Sequence, residues 1–202
     1  MAMGSTNDRF VRYVRNHLKE YGFKLYLGKG KEVNSKEGWR SSGFFCLESH
    51  VIAVGTGAPQ FIETLVHEYA HFLQWLDSTD SLLEREDTAA RHVSDYLHGN
   101  KGKLNLTLRK SFQKVMEFER DAEMRAVKCI VTHKLNIPIE MYIKRANLYI
   151  YSHYLYMLLR KYSWKKNPNK SCKVIAEMPN NFRTKAHKSC PLKIYKLLQT
   201  YW

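Results

Sequence analysis

The sequence predicts an α+β chain, on three observations. An amphipathic helical pattern opens it, short apolar runs separated by turn residues follow, and the remainder is dominated by long stretches of helical period. Asp8 to Tyr21 places Phe10, Val11, Val14, Leu18 and Tyr21 on one side, with Arg9, Arg12, Arg15 and Lys19 elsewhere. Phe23 to Leu27 reads as a strand stopped by Gly28-Lys29-Gly30, and Gly43 to Leu47 with Val51 to Val54 reads as a hairpin turning at Glu48-Ser49-His50. Phe61 to Leu76 is a helix, with Pro59 near its start, where a missing N–H does no harm. Ser78 to Leu97 is acidic and predicts a shorter helix with loops. Leu106 to His133 and Pro138 to Lys161 predict two long helices. Pro168, Pro179 and Pro191 predict a mostly irregular segment after Trp164, closed by a short helix near Leu192 to Leu198. The expected division is a domain over residues 1–162 and a basic extension over 163–202, packed on or appended to it.

Chemistry concentrates in His67-Glu68-Tyr69-Ala70-His71. Residues four apart share one helix face, so two neutral imidazoles at this spacing can grip one Zn²⁺, and Glu68 beside them can reach a water at the metal. On a wheel stepping about 100° per residue, Phe61, Ile62, Leu65, Val66, Tyr69, Phe72, Leu73 and Leu76 fill one broad side. His67, His71, Glu63 and Gln74 form a narrow stripe on the other. A catalytic site of this type needs a third protein ligand. In the later helix, Phe112, Val115, Ala122, Ala126, Cys129 and Ile130 mark an apolar stripe. Glu119 and Glu123 lie within or beside that stripe, whereas Glu117 and Asp121 point to water. A carboxylate on a buried face is costly unless paired or metal-bound, so Glu119 and Glu123 are the candidates.

His67-Glu68-x-x-His71 followed by Glu119-x-x-Ala122-Glu123-x-x-Ala126 resembles the ImmA/IrrE family of zinc metallopeptidases, and more closely still uncharacterised bacteriophage-encoded metallopeptidase-like proteins. The latter share the phrase His71-Phe72-Leu73-Gln74-Trp75 and a stretch like Leu135-Asn136-Ile137-Pro138-Ile139 before a Tyr-rich helix. The resemblance covers residues 40 to 162. It implies a minimal zincin fold: an N-terminal helix, a three-stranded sheet, the HExxH helix, a Glu-bearing helix and a further C-terminal helix. It also implies His67, His71 and Glu119 as zinc ligands, Glu68 as general base, and Glu123 as a carboxylate orienting a ligand histidine. Glu123 stands where the family pattern has Asn or Asp, Arg125 replaces its Phe, and the gap from His71 to Glu119 is longer. In such folds an edge strand beside the cleft pairs with the substrate backbone, and Val51 to Val54 is the expected edge. An alternative third ligand is His98, in a His98-Gly99 pair like that of SprT-like proteases of DNA-bound proteins.

The helix after Pro138 carries Tyr142, Tyr149, Tyr151, Tyr154, Tyr156 and Tyr162 around most of its girth, as in a buried helix whose phenols reach polar partners. His153, on its packed side, is the candidate donor to an oxyanion formed during catalysis. Charge is uneven. Residues 1–100 hold 11 Lys/Arg against 13 Asp/Glu, and residues 101–202 hold 22 against 6, so the second half accounts for the whole net charge of +14. From Leu158 onward basic residues interleave with Tyr162, Trp164, Phe182, Tyr195, Tyr201 and Trp202, a pattern suited to phosphate contacts and base stacking, or to an acidic protein. No run of eighteen apolar residues is present, so no membrane span is expected. The N-terminus lacks a signal-peptide core, and Cys46, Cys129, Cys172 and Cys190 form no CxxC pair. Free thiols and a cytoplasmic location are the expectation, in a bacterial host if the chain is phage-encoded. The leading expectation is a zinc metalloendopeptidase acting on a protein or peptide, in a regulatory role. The rival is a nucleic-acid- or partner-binding protein on the same scaffold with little peptidase activity.

Overall fold

The computed structural model describes residues 5–36, 38, 40–78, 80–100, 102–160, 168, 171–182 and 190–201, with residues 80–86 described as backbone only. The chain is mixed α+β, and its contacts divide it into two compact units. The first comprises Met1–Asp77 with Arg125–Ile137, the second Ser78–Met124 with Pro138–Trp202.

The first unit opens with α1, Thr6–Glu20. Ser5 and Asp8 close its N-terminus reciprocally: the Asp8 N–H donates to Ser5 Oγ at 3.2 Å and the Ser5 N–H to Asp8 Oδ2 at 2.9 Å. Phe10, Val14 and Leu18 are buried along one face, as their spacing predicts. Five strands follow: β1 Lys24–Gly28, β2 Val33–Asn34, β3 Arg40–Ser41, β4 Gly43–Cys46 and β5 Val51–Gly55. The main sheet has the order β1-β5-β4, with β1 parallel and β4 antiparallel to β5. β2 and β3 pair separately in a small antiparallel ribbon that the sequence pattern did not suggest. The hairpin turn leaves the left-handed conformation to His50, with φ 49°.

This topology corrects one expectation. Val51 to Val54 is the central strand, and β4 is the edge. A run buried on both sides is what a central strand requires, and Ile52, Ala53 and Val54 are each at most 2% exposed.

Helix α2, Phe61–Asp77, packs on β4 and β5. Phe72 is the pivot of an aromatic core, with ring centroids of Phe23, Trp75, Tyr69 and Phe45 within 6.3 Å of it. Gly43 permits the close approach of β4 to α2. A Cβ there would lie 2.6 Å from Thr64 Cγ2, 3.1 Å from the Ala53 carbonyl and 3.3 Å from Glu68 Cγ. Gly43→Val is therefore expected to cost about 1–3 kcal/mol, read as a lower denaturant midpoint at unchanged m. An unchanged midpoint would mean that the strand and helix have slack between them.

The second unit is helical: α3 Asp80–Leu97, α4 Leu106–Thr132, α5 Ile139–Leu159, α6 Cys172–Ala176 and α7 Leu192–Gln199. Residues of α4 beyond Met124 belong to the first unit. α3 is one continuous helix of 18 residues, longer than its acidic composition suggested. α5 is the organiser. Leu148, Tyr151 and Leu155 pack against Val174, Ile175, Met178, Ile194 and Leu198, so α6 and α7 are seated on it. Met157 packs with Val93, Tyr96, Leu108 and Phe112 in a second cluster. Each such side chain, fully buried, contributes on the order of 1.5–3 kcal/mol. Arg160 ends α5 by donating to the Tyr96 carbonyl at 2.9 Å while its guanidinium lies 4.9 Å from the Tyr96 ring centroid.

Candidate metal centre

The metal-type stripe read from the sequence is present on α2. His67 Nε2 and His71 Nε2 approach to 3.2 Å, with their rings nearly perpendicular. Gln74 is 4% exposed, and its Oε1 lies 2.8 Å from His71 Nδ1. A side-chain amide oxygen can only accept, so Nδ1 carries the proton and Nε2 presents its lone pair. Gln74 shared the histidine stripe in the sequence, yet its role was not read there. The i,i+3 spacing from His71 was the available signal.

The third member is Glu119 on α4. Among the described residues, His67, His71 and Glu119 form the group able to hold a metal ion, with one ligand atom from each lying within 4.8 Å of the others. His67 Nδ1 and Glu119 Oε2 are buried atoms. Two imidazole nitrogens and one carboxylate suit a borderline dication, and bonds of 2.0–2.1 Å at tetrahedral angles put two such nitrogens about 3.3 Å apart. The observed 3.2 Å fits that geometry. Substituting Gln74→Leu removes the acceptor on Nδ1 and is expected to weaken metal affinity by roughly 10–100-fold, measured by competition with a chelating dye. Unchanged affinity would show that the Gln74 contact does not orient the ring.

The other candidates are placed as follows. Glu68 is 8% exposed and faces Gly43 of β4. Glu123 is 6% exposed and accepts a hydrogen bond from the Tyr142 phenol at 2.5 Å, a partner not anticipated from the sequence. Glu117 is exposed, as its wheel position predicts. His98 is exposed near the end of α3, where its Nδ1 donates to the Ser94 carbonyl at 2.9 Å, and it is not in the metal-type group. His153 is buried, and its Nδ1 donates to the Tyr149 carbonyl at 3.2 Å. Burial pushes its pKa down, against the opposing charge of Glu119. In the neutral form Nε2 is then an acceptor, so the donor role read from the sequence requires the imidazolium.

Arg125, the departure from the family pattern, has a local purpose. Its guanidinium donates to Asp77 at 2.5 Å and to the Leu73 carbonyl at 3.4 Å, placing positive charge at the C-terminal end of α2. Tyr69, between the two histidines in sequence, turns the other way. It is 1% exposed, with its hydroxyl 2.6 Å from His17 Nδ1, and burial followed by the Tyr13 hydroxyl pushes its pKa well above the usual phenol value.

Of the basic, aromatic-rich segment, Tyr162, Trp164 and Trp202 lie outside the described residues. Lys173, Lys193 and Lys196 are exposed on α6 and α7, and Lys193 pairs with Glu177 at 2.5 Å, holding that carboxyl below its usual range. No described helix is long and apolar enough to cross a membrane. Against protein-family models, curated proteins and solved structures, nothing matches the chain, so the resemblance to ImmA/IrrE peptidases stands on the motif residues themselves.

Proposed function

We propose that this chain is a zinc-dependent endopeptidase of the HExxH type. The observation that carries the reading is the convergence of His67, His71 and Glu119, with the buried Glu68 next to His67. Zinc, when bound, would polarise a scissile carbonyl and make a water acidic enough to attack at neutral pH. Glu68 takes the proton of the attacking water and delivers it to the departing amine as the C–N bond breaks. Gln74 keeps His71 in the tautomer that leaves Nε2 bare, and Tyr142 steadies Glu123 beside the ligand helix. β4, the edge next to Glu68, takes the role of pairing an extended substrate that the sequence had given to Val51 to Val54. His153 acts as the oxyanion donor when protonated. The test is metal content of the purified chain together with cleavage of an unstructured protein before and after chelation. One metal per chain and chelator-sensitive cleavage support the reading. A chain that takes up no metal on reconstitution rejects it.

The charge asymmetry favours a companion role: the basic second half brings the enzyme to a nucleic acid. An oligonucleotide that neutralises six to ten lysines or arginines should bind about 10³–10⁵-fold more weakly at 200 than at 50 mM salt. Absence of binding at low salt would transfer the role to an acidic protein. A regulatory proteolysis in a bacterial cytoplasm, as the phage-type resemblance implies, is the setting we propose.

A further inference from the structure

The sheet carries a second feature, remote in chemistry from the metal-type group. Strand alternation sends Phe45, Ile52 and Val54 to the side facing α2, and Lys24, Tyr26, Phe44, Val51 and Ala53 to the other. On that other side Ala53 sits in register between Tyr26 and Phe44, so a methyl group is flanked by two aromatic rings. A small residue between two large ones leaves a trough of about 420 Å³, within the range of small-molecule sites. Tyr26, one wall of it, is 59% exposed.

The polar groups at the trough are all neutral or positive. Lys24 and Lys36 line it with Asn34 and Ser49, and no carboxylate is among the lining residues. Among the described residues neither lysine is in an ion pair. An apolar floor with ring-faced walls selects a flat hydrophobic body, and two lysines without acidic neighbours select a negative group on it. Inorganic phosphate would gain nothing from the floor, and an organic cation would be repelled at the rim.

We propose that this trough binds a planar aromatic carboxylate, with its ring over Ala53 between Tyr26 and Phe44 and its carboxylate at Lys24 and Lys36. The site is independent of the peptidase reading, because none of its residues belongs to the metal-type group.

Calorimetric titration of the full chain with naphthalene-2-carboxylate tests it, with 2-naphthylmethylammonium as a probe of similar shape and opposite charge. The carboxylate should bind saturably at one site, and the ammonium at least about tenfold more weakly. Cys46, a half-buried free thiol lining the trough, gives a local readout. Bound carboxylate should slow its alkylation by iodoacetamide while leaving that of exposed Cys172 unchanged. Reversing both exposed lysines, Lys24→Glu with Lys36→Glu, should weaken binding by roughly tenfold or more and remove the protection of Cys46. Ala53→Leu should fill the trough and abolish binding; if that variant fails to fold, the lysine variant still decides. No saturable binding at millimolar ligand, equal binding of the ammonium, or an unprotected Cys46 would each overturn the proposal.

Discussion

Glu68→Gln is expected to lower kcat/KM for hydrolysis of a quenched-fluorescent peptide library by roughly 10²–10⁴-fold, about 3–5.5 kcal/mol of transition-state stabilisation, with bound metal unchanged. The substitution is nearly isosteric. Glu68 is 8% exposed and its Cγ lies at the approach to Gly43, so an amide of the same length keeps the packing of β4 on α2. What it loses is the group that accepts the water's proton. The metal-type ligands His67, His71 and Glu119 are untouched, so metal content separates loss of chemistry from loss of the site. If hydrolysis persists at the wild-type rate, Glu68 is not the base. If the Glu68→Gln chain also keeps its full activity in cells, a binding role on this scaffold replaces the enzymatic one.

Glu119→Ala should remove the metal. Structural zinc sites bind with about 10–16 kcal/mol, so one ligand of four accounts for about 3–4 kcal/mol, or roughly 10²–10³-fold in affinity. The same loss should appear as stability. Metal bound to the native state raises the unfolding free energy by an amount that grows with free metal, and the variant should show that rise only at much higher metal concentration. His98→Ala is the matched comparison, because His98 lies outside the group. Metal retained by Glu119→Ala but lost from His98→Ala would move the third ligand to the other histidine and favour the SprT-like reading.

The helices were legible because their periodicity is a local property. The bounds of α2, α4 and α5 follow from where the apolar residues recur and where Gly and Pro interrupt them. The histidine stripe was legible for the same reason: His67 and His71 share a face through backbone geometry alone, and so does Gln74, although its bond to His71 depends on a side-chain torsion. The nomination of Glu119 and Glu123 came from wheel position, and the wheel could not rank them. Tertiary placement ranks them. Glu119 joins the two histidines, while Glu123 receives the phenol of Tyr142, nineteen residues away on another helix.

Strand order was the chief property hidden from the sequence. Val51 to Val54 and Gly43 to Cys46 are both short apolar runs, and pairing across a hairpin says nothing about which strand a third will join. β1 docks on β5, so β5 becomes central and β4 the edge. The brief β2–β3 ribbon was hidden too, because two residues per strand carry no period to detect. Nor does the sequence show that Ala53 falls between Tyr26 and Phe44, since register across three strands is a non-local fact. By itself the sequence determined the helices, the α+β class and the ligand pair one turn apart on α2, because each is set by neighbours along the chain. Only the tertiary structure decided the third member of the metal-type group, the edge strand and the trough on the sheet, because each depends on which distant segments pack together.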